Sequence, residues 1–224
     1  MYTPPPDFTL LRTADGSATL RSARLGEQYH SVHGAVQESR HVFLRHGLEA
    51  VAADPVDVLE VGLGTGLNML LTWQAAEAGG RTVRYHALEP FPVPLEQLKD
   101  LGHAEMLGAD HSDAFLRTMT AVPEAWHVVS PWFHFRRSAM PVHDLQAEGI
   151  ADVVYFDAFG PATQPEMWTL DVMQRMFRAL WPGGLLVTYC AKGEVRRTLQ
   201  AAGFVVERLP GPPGKREMLR AARS

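Results

Sequence analysis

From residue 56 onward, short apolar runs alternate with stretches whose apolar residues recur every three to four positions, the pattern of strand and helix in turn. The runs at 56–61, 82–89, 152–157 and 185–190 predict core strands. Between them, helices are expected at 66–78, stopped by Gly79-Gly80, at about 94–107, and at about 166–181, stopped by Pro182-Gly183-Gly184. A helix at 193–202 and strands near 204–208 and 216–221 complete the series. Such alternation implies an α/β fold with a mainly parallel central sheet. Ahead of it, residues 8–33 predict short strands around the turn Ala14-Asp15-Gly16-Ser17, and a helix is expected over about 35–47. The runs Trp126-His127-Val128-Val129 and Trp132-Phe133-His134-Phe135 predict β-structure inserted before or around the third core strand, with their aromatics in the sheet core. No repeat, linker or low-complexity tract interrupts the chain. One domain over 1–224 is expected, with a β-rich extension over about 1–50 and a core over about 55–224.

Composition adds bounds rather than chemistry. A chain of 224 residues, 46% hydrophobic, can bury one ample core. Its single cysteine, Cys190 at the end of an apolar strand, excludes an internal disulfide and suits a reducing compartment. No apolar run approaches the roughly 20 residues that span a bilayer. Residues 1–7 carry neither a basic region nor an apolar signal core, so a soluble cytoplasmic protein is expected. The net charge of −4 hides an asymmetry: residues 192–224 hold eight basic side chains against three acidic ones, a net of +5. That basic tail either meets an anionic partner such as RNA or is a solvated face.

The most informative stretch is Val56-Asp57-Val58-Leu59-Glu60-Val61-Gly62-Leu63-Gly64-Thr65-Gly66-Leu67-Asn68. An apolar strand runs into a turn with glycine at every second position, and a helix then points its free N–H groups at whatever the turn holds. A dinucleotide fingerprint would place Gly or Ala three residues after Gly64, where Leu67 stands. The spacing E-x-G-x-G-x-G is instead similar to the first motif of Rossmann-type S-adenosyl-L-methionine methyltransferases, which implies a Rossmann-like core. Such a unit asks for an acidic residue at the end of its second strand, because a carboxylate offers two acceptor oxygens to a vicinal diol. Glu89 stands there. Glu60 is expected beneath the amino-acid part of the ligand. Asp144 is expected either at the adenine amino group, with Leu145 against the ring, or as the cap of a following helix.

A second apolar strand delivers Asp157 at its carboxyl end, where open α/β sheets place their ligands, and a loop stiffened by Pro161 and Pro165 follows. The segment from Phe156 to Trp168 is similar to the D-G/A-F-x-P-x-x-x-P-[DE]-[ML]-W signature of the MnmC-type tRNA methyltransferase domain. Ala191-Lys192-Gly193-Glu194-Val195-Arg196-Arg197 resembles its A-G/K-x-V-R-R stretch. Gly203-Phe204 and Gly214-Lys215-Arg216-Glu217-Met218-Leu219 resemble its closing motifs. Glu38-Ser39-Arg40-His41-Val42-Phe43 resembles its E-S-x-x-V-F element. His143-Asp144 and Tyr189-Cys190-Ala191-Lys192-Gly193 depart from that family's usual Gly-Asp and Thr-Phe-Thr-Ala-Gly.

The resemblance implies N-methylation of the aminomethyl group of 5-aminomethyluridine, with or without a 2-thio group, at the tRNA wobble position. It implies S-adenosyl-L-methionine held by Glu60, Gly62, Gly64, Gly66, Asn68, Glu89, Asp144 and Asp157, with Phe159, Arg196, Arg197, Lys215 and Arg216 toward tRNA. Larger members carry an FAD-dependent oxidase. With the chain ending at Ser224 and no second glycine fingerprint, a stand-alone methyltransferase supplied by a separate enzyme is expected.

Methyl transfer from a sulfonium is an in-line displacement, so positioning supplies most of the catalysis. Asp157 is the candidate to accept a proton from the amine or to hold it in line. Phe159 and Trp168 are candidates to stack on the uracil, Trp168 equally for the core. His30 and His33 have metal-like spacing but no thiol or carboxylate set to complete a site, so no metal is expected. Two rival classes remain, an NAD(P)-dependent oxidoreductase and a catalytically silent tRNA-binding subunit.

Overall fold

A computed structural model of the chain describes residues 8–108 and 111–224. Residues 1–7, the segment without a basic region or an apolar signal core, lie outside the described residues. The central sheet has eight strands: β4 (Val56–Val61), β5 (Val83–Leu88), β6 (His127–Ser130), β7 (Phe133–Ser138), β8 (Ala151–Phe156), β9 (Leu180–Thr188), β10 (Val205–Pro210) and β11 (Glu217–Ala222). Their order is β10-β11-β9-β8-β4-β5-β7-β6. The five strands from β9 to β7 run parallel, while β10, β11 and β6 are antiparallel to their neighbours. Strand order reverses between β4 and β8, the crevice in which such sheets bind ligands.

Both faces of the sheet are covered. In β4, Val56 and Val58 enter one buried cluster while Leu59 and Val61 enter another, and β8 divides Val153 and Tyr155 from Val154 and Phe156 in the same way. The first face receives α2 (Leu67–Gly79), which is buried continuously from Leu67 to Trp73, and α5 (Ser112–Met119) through Phe115 and Met119. The second receives α6 (Leu170–Ala179) and α7 (Gly193–Ala201). Helix α6 buries Val172, Met173, Met176 and Ala179, a stripe with helical period, and the Thr169 hydroxyl caps it by accepting from Val172 N at 3.5 Å. A small antiparallel sheet, β1 (Phe8–Arg12), β2 (Ala18–Ser22) and β3 (Glu27–Gln28), sends Ala18 and Leu20 into the first cluster.

Several expected elements are divided or displaced. The helix expected over 94–107 is two, α3 (Leu95–Leu101) and α4 (His103–Leu107), because Gly102 takes a left-handed φ of 62°. The expected 35–47 helix begins as α1 (Ala35–Ser39) and continues as a π-helical turn over Arg40–Arg45. The 166–181 segment starts as a 3-10 turn, Pro165–Trp168, and α6 ends at Ala179. Pro182-Gly183-Gly184 is no helix stop: Leu180 already pairs with Ala151, and the Pro-Gly-Gly forms an irregularity inside β9. Phe133–Ser138 is itself the third core strand, and only β6 is added to it as an antiparallel edge. Phe133 and Phe135 are fully buried as expected, but Trp126 and Trp132 flank that edge and stay 49% and 41% exposed.

Candidate active site

The glycine turn joins β4 to α2 at the strand reversal. Gly62, Gly64 and Gly66 all have positive φ, 89°, 50° and 76°, which side-chain-bearing residues rarely adopt. Space is closed as well. A Cβ on Gly62 would meet the Asp157 carbonyl oxygen at 2.9 Å, one on Gly64 the Tyr29 ring at 2.9 Å, and one on Gly66 the Met119 sulfur at 2.5 Å. The turn thus brings backbone, not side chains, to the crevice.

Glu89, one residue past β5, is buried, and its two carboxylate oxygens accept the N–H groups of Gly64 (3.0 Å) and Phe91 (2.9 Å). It therefore shapes the turn, and each oxygen keeps a second lone pair for a ligand hydroxyl. Burial pushes the Glu89 carboxyl up, opposed by those two hydrogen bonds.

Asn68, in the first turn of α2, links two carboxyl groups. Its Nδ2 donates to Glu60 Oε1 at 3.0 Å and to Asp157 Oδ2 at 2.8 Å. Glu60 is fully buried, and burial raises its carboxyl to about 8, so it is mostly protonated at neutral pH. Asp157 lies at the mouth of the crevice, partly exposed. Burial, with Glu60 and Glu38 nearby, pushes its carboxyl well above the usual range. Three groups singled out separately in the sequence are therefore one hydrogen-bonded unit. Asn68 Oδ1 and Thr65 Oγ1 are buried beside the turn without a partner among the described residues.

The N-terminal extension closes the site, through residues that sequence reasoning missed. The Tyr29 ring lies against Gly64 and meets Phe159 edge-on, centroids 4.9 Å apart. Burial and the Glu89 charge push its hydroxyl up to about 12, so it stays a neutral donor. Glu38, buried in α1, pairs with Lys215, whose ammonium sits 4.0 Å above the Tyr189 ring. Tyr189 in turn donates to the Ala158 carbonyl at 2.9 Å. Only the motif resemblance marked Glu38 and Tyr189, and nothing local marks Tyr29.

The other candidates separate. Trp168 is a core residue: it is buried, meets Phe156 edge-on at 5.0 Å and donates Nε1–H to the Phe159 carbonyl at 2.8 Å. It thereby holds the backbone of Phe159, whose own ring stays partly exposed. Asp144 is exposed in a 3-10 turn, Val142–Asp144, beyond β7; no α-helix follows for it to cap, and Leu145 is buried in the second cluster. Lys215 is engaged with Glu38 and Tyr189 rather than presented to solvent. Elsewhere in the basic tail Lys192, Arg208 and Arg220 pair with Glu194, Glu217 and Glu207, and Arg223 donates to three backbone carbonyls. Arg196, Arg197 and Arg216 have no acidic partner among the described residues. His30 is buried against Thr19 Oγ1, at 3.2 Å from Nδ1, and Cys190 is buried.

The donor set fits S-adenosyl-L-methionine. Three glycines keep Cβ atoms out of the turn, the Glu89 carboxylate bonded to it can accept from a vicinal diol, and among the described residues Thr65 Oγ1 and Asn68 Oδ1 are buried beside it without a partner.

Residues 137–224 match the family model described as S-adenosyl-L-methionine-dependent methyltransferase. The MNMC2 structure from Aquifex aeolicus superposes with a TM-score of 0.74 at 24% identity, covering 100% of this chain and 73% of that one. Spermidine synthase from Thermotoga maritima gives 0.58 at 13% identity, covering 99% and 70%. The fold is that of Rossmann-like S-adenosyl-L-methionine-dependent methyltransferases, and the family model matches the C-terminal part of the chain. More particularly, the chain resembles the tRNA 5-methylaminomethyl-2-thiouridine biosynthesis bifunctional protein MnmC. It is 35% identical to the one from Aromatoleum aromaticum, over 93% of this chain and 34% of that protein. The Idiomarina loihiensis protein is 32% identical over 88% of this chain and 36% of its own length. The chain thus spans about a third of the length of these relatives.

Proposed function

We propose that the chain, acting as one methyltransferase domain, methylates the primary amine of 5-aminomethyluridine, with or without a 2-thio group, at the wobble position of tRNA. The product is the 5-methylaminomethyl nucleoside. The observation that carries this reading is the Glu60–Asn68–Asp157 unit, which presents one carboxylate edge at the glycine turn. The MnmC resemblance supplies the RNA substrate. Among the described residues no helix is long and apolar enough to cross a membrane; a place of work in the cytoplasm follows from the proposed tRNA substrate.

When bound, S-adenosyl-L-methionine supplies a methyl carbon on a sulfonium, whose bond electrons leave with sulfur as the new C–N bond forms. The residues of the chain must do the rest. Asp157 takes a proton from the incoming ammonium, or orients it, so that the nitrogen lone pair points at the methyl carbon. Asn68 fixes the rotamer of Asp157. Glu60, being mostly neutral, adds little charge of its own at the acceptor position. Phe159, braced by Tyr29 and its own backbone bond to Trp168, offers a face to the uracil. Glu60, Gly62, Gly64, Gly66 and Glu89 hold the cofactor. The test is direct: incubation with labelled S-adenosyl-L-methionine and tRNA carrying 5-aminomethyluridine, followed by nucleoside analysis. Label absent from the 5-methylaminomethyl nucleoside would remove the reading. Thermal stabilisation by NAD rather than S-adenosyl-L-methionine would favour an oxidoreductase, which Leu67 opposes.

Arg196, Arg197 and Arg216 are proposed to meet the tRNA backbone. Affinity for tRNA should then fall as salt rises, the slope scaling with the phosphates neutralised. Reversing Arg196 and Arg197 to Glu is expected to weaken tRNA binding and flatten that slope, with cofactor affinity unchanged. Filter binding across a salt series checks this, and indifference to both changes would move docking elsewhere.

A further inference from the structure

The Lys215–Glu38 ion pair has no evident structural need to lie beside the reaction centre. Glu38 comes from α1, Lys215 from the loop before β11, and they meet over the Tyr189 ring, whose hydroxyl binds the carbonyl of Ala158, next to Asp157. Glu38 is only 6% exposed, and its other oxygen accepts Ser31 N–H at 3.3 Å, so the pair is held rather than floating. A buried pair costs desolvation that its own attraction only roughly offsets, so replacement by apolar residues is often neutral.

Amine methylation gives such a pair a use. A primary amine is mostly an ammonium at neutral pH, and Asp157, once ionised, would hold it in that unreactive form. The buried Glu38 anion adds to that hold, and the Lys215 ammonium paired with it opposes it, as cationic neighbours do for reactive amines. We propose that Lys215 is a positioning residue that cancels the Glu38 anion beside Asp157, so that the amine can shed its proton at the acceptor position. This inference rests on the methyl transfer proposed above. The ionisable groups around the pair are Asp157 after β8, Glu60 in β4, Glu27 in β3, His30 and His33 after β3, and Tyr189 and Cys190 after β9. Lys215 and Glu38 are the only oppositely charged pair in contact among them.

The sign is fixed by charge alone. Removing the Lys215 ammonium favours the protonated forms of both the amine and Asp157, so the rising limb of the pH–rate profile moves to higher pH. Removing the Glu38 charge leaves the cation uncompensated, and the limb moves to lower pH. Full-length wild type, Lys215→Met, Glu38→Gln and the double variant are compared in single-turnover methyl transfer to aminomethyl tRNA, from pH 6 to about 9.5. Each single variant is expected to shift the limb by about one unit, in opposite directions, and the double variant to return near wild type. On the acidic side that makes Lys215→Met about tenfold slower. If the glutamine variant folds poorly, Lys215→Arg, which keeps the charge, is compared with Lys215→Met and is expected to hold the wild-type limb. Shifts in the same direction, or none, with wild type active, overturn the inference and leave the methylation reading standing. A wild type that transfers no methyl to the nucleoside overturns both.

Discussion

Asp157→Ala is expected to lower methyl transfer by roughly 10²–10⁴-fold, the span for a positioned acid–base group, while cofactor affinity changes far less. The size follows from place and partners. Asp157 leaves β8 at the strand reversal, its rotamer is held by Asn68 Nδ2, and its backbone N–H is tied to the Val61 carbonyl at 3.0 Å. Burial raises its carboxyl well above the usual carboxylate range. Below that raised value it is protonated and can take no proton, so wild-type activity should rise with pH as Asp157 and the amine both lose theirs. Asp157→Asn, which keeps the shape and loses the basicity, should remove the Asp157 part of that rise and leave the amine's own. Single-turnover rates against pH, with calorimetry of cofactor binding, check both. Near-wild-type rates in Asp157→Ala with saturating tRNA would make the residue structural and leave deprotonation to water before binding.

Glu89→Ala is expected to weaken S-adenosyl-L-methionine by about 1–3 kcal/mol, a loss of roughly 5- to 150-fold in affinity. The substitution removes a carboxylate from the proposed ribose position and strips the acceptors from two backbone donors, Gly64 N–H and Phe91 N–H. Buried donors left without partners carry their own desolvation cost, so the melting temperature should fall as well. Glu89→Gln retains one carbonyl acceptor and should lie between. Titration calorimetry on the folded variants separates the two losses, and unchanged affinity in Glu89→Ala would take Glu89 out of cofactor binding.

The candidate site was legible in the sequence wherever one segment carries its own reason. The glycines at 62, 64 and 66 announce a turn without side chains because positive φ is a local property, and each has it. Asp157 and Glu89 could be located because parallel strands buried on both faces have apolar runs whose ends are easy to find. Element boundaries fared worse where a single residue changes the backbone. Gly102 splits one expected helix, and Leu180 leaves α6 to join β9 because Ala151 is there to pair with it.

Charge and aromatic content misled for a different reason. Eight basic residues in the tail look alike in a sequence, yet Arg223 is spent on the carbonyls of Phe177, Arg178 and Leu180. Lys215 is drawn inward by Glu38, 177 positions away. Trp126 and Trp132 look as buried as Phe133, but only the sheet order makes β6 an edge strand.

By itself the sequence determined the α/β alternation, the conformation of the glycine turn and the strand ends that deliver Glu89 and Asp157, since these depend on periodicity and on backbone preferences of single residues. Only the tertiary structure decided that Asn68 joins Glu60 to Asp157, that Tyr29 covers the turn, and that Glu38 meets Lys215 over Tyr189. Those are contacts between side chains far apart in the chain, and their geometry is set by packing across the sheet rather than by any local pattern.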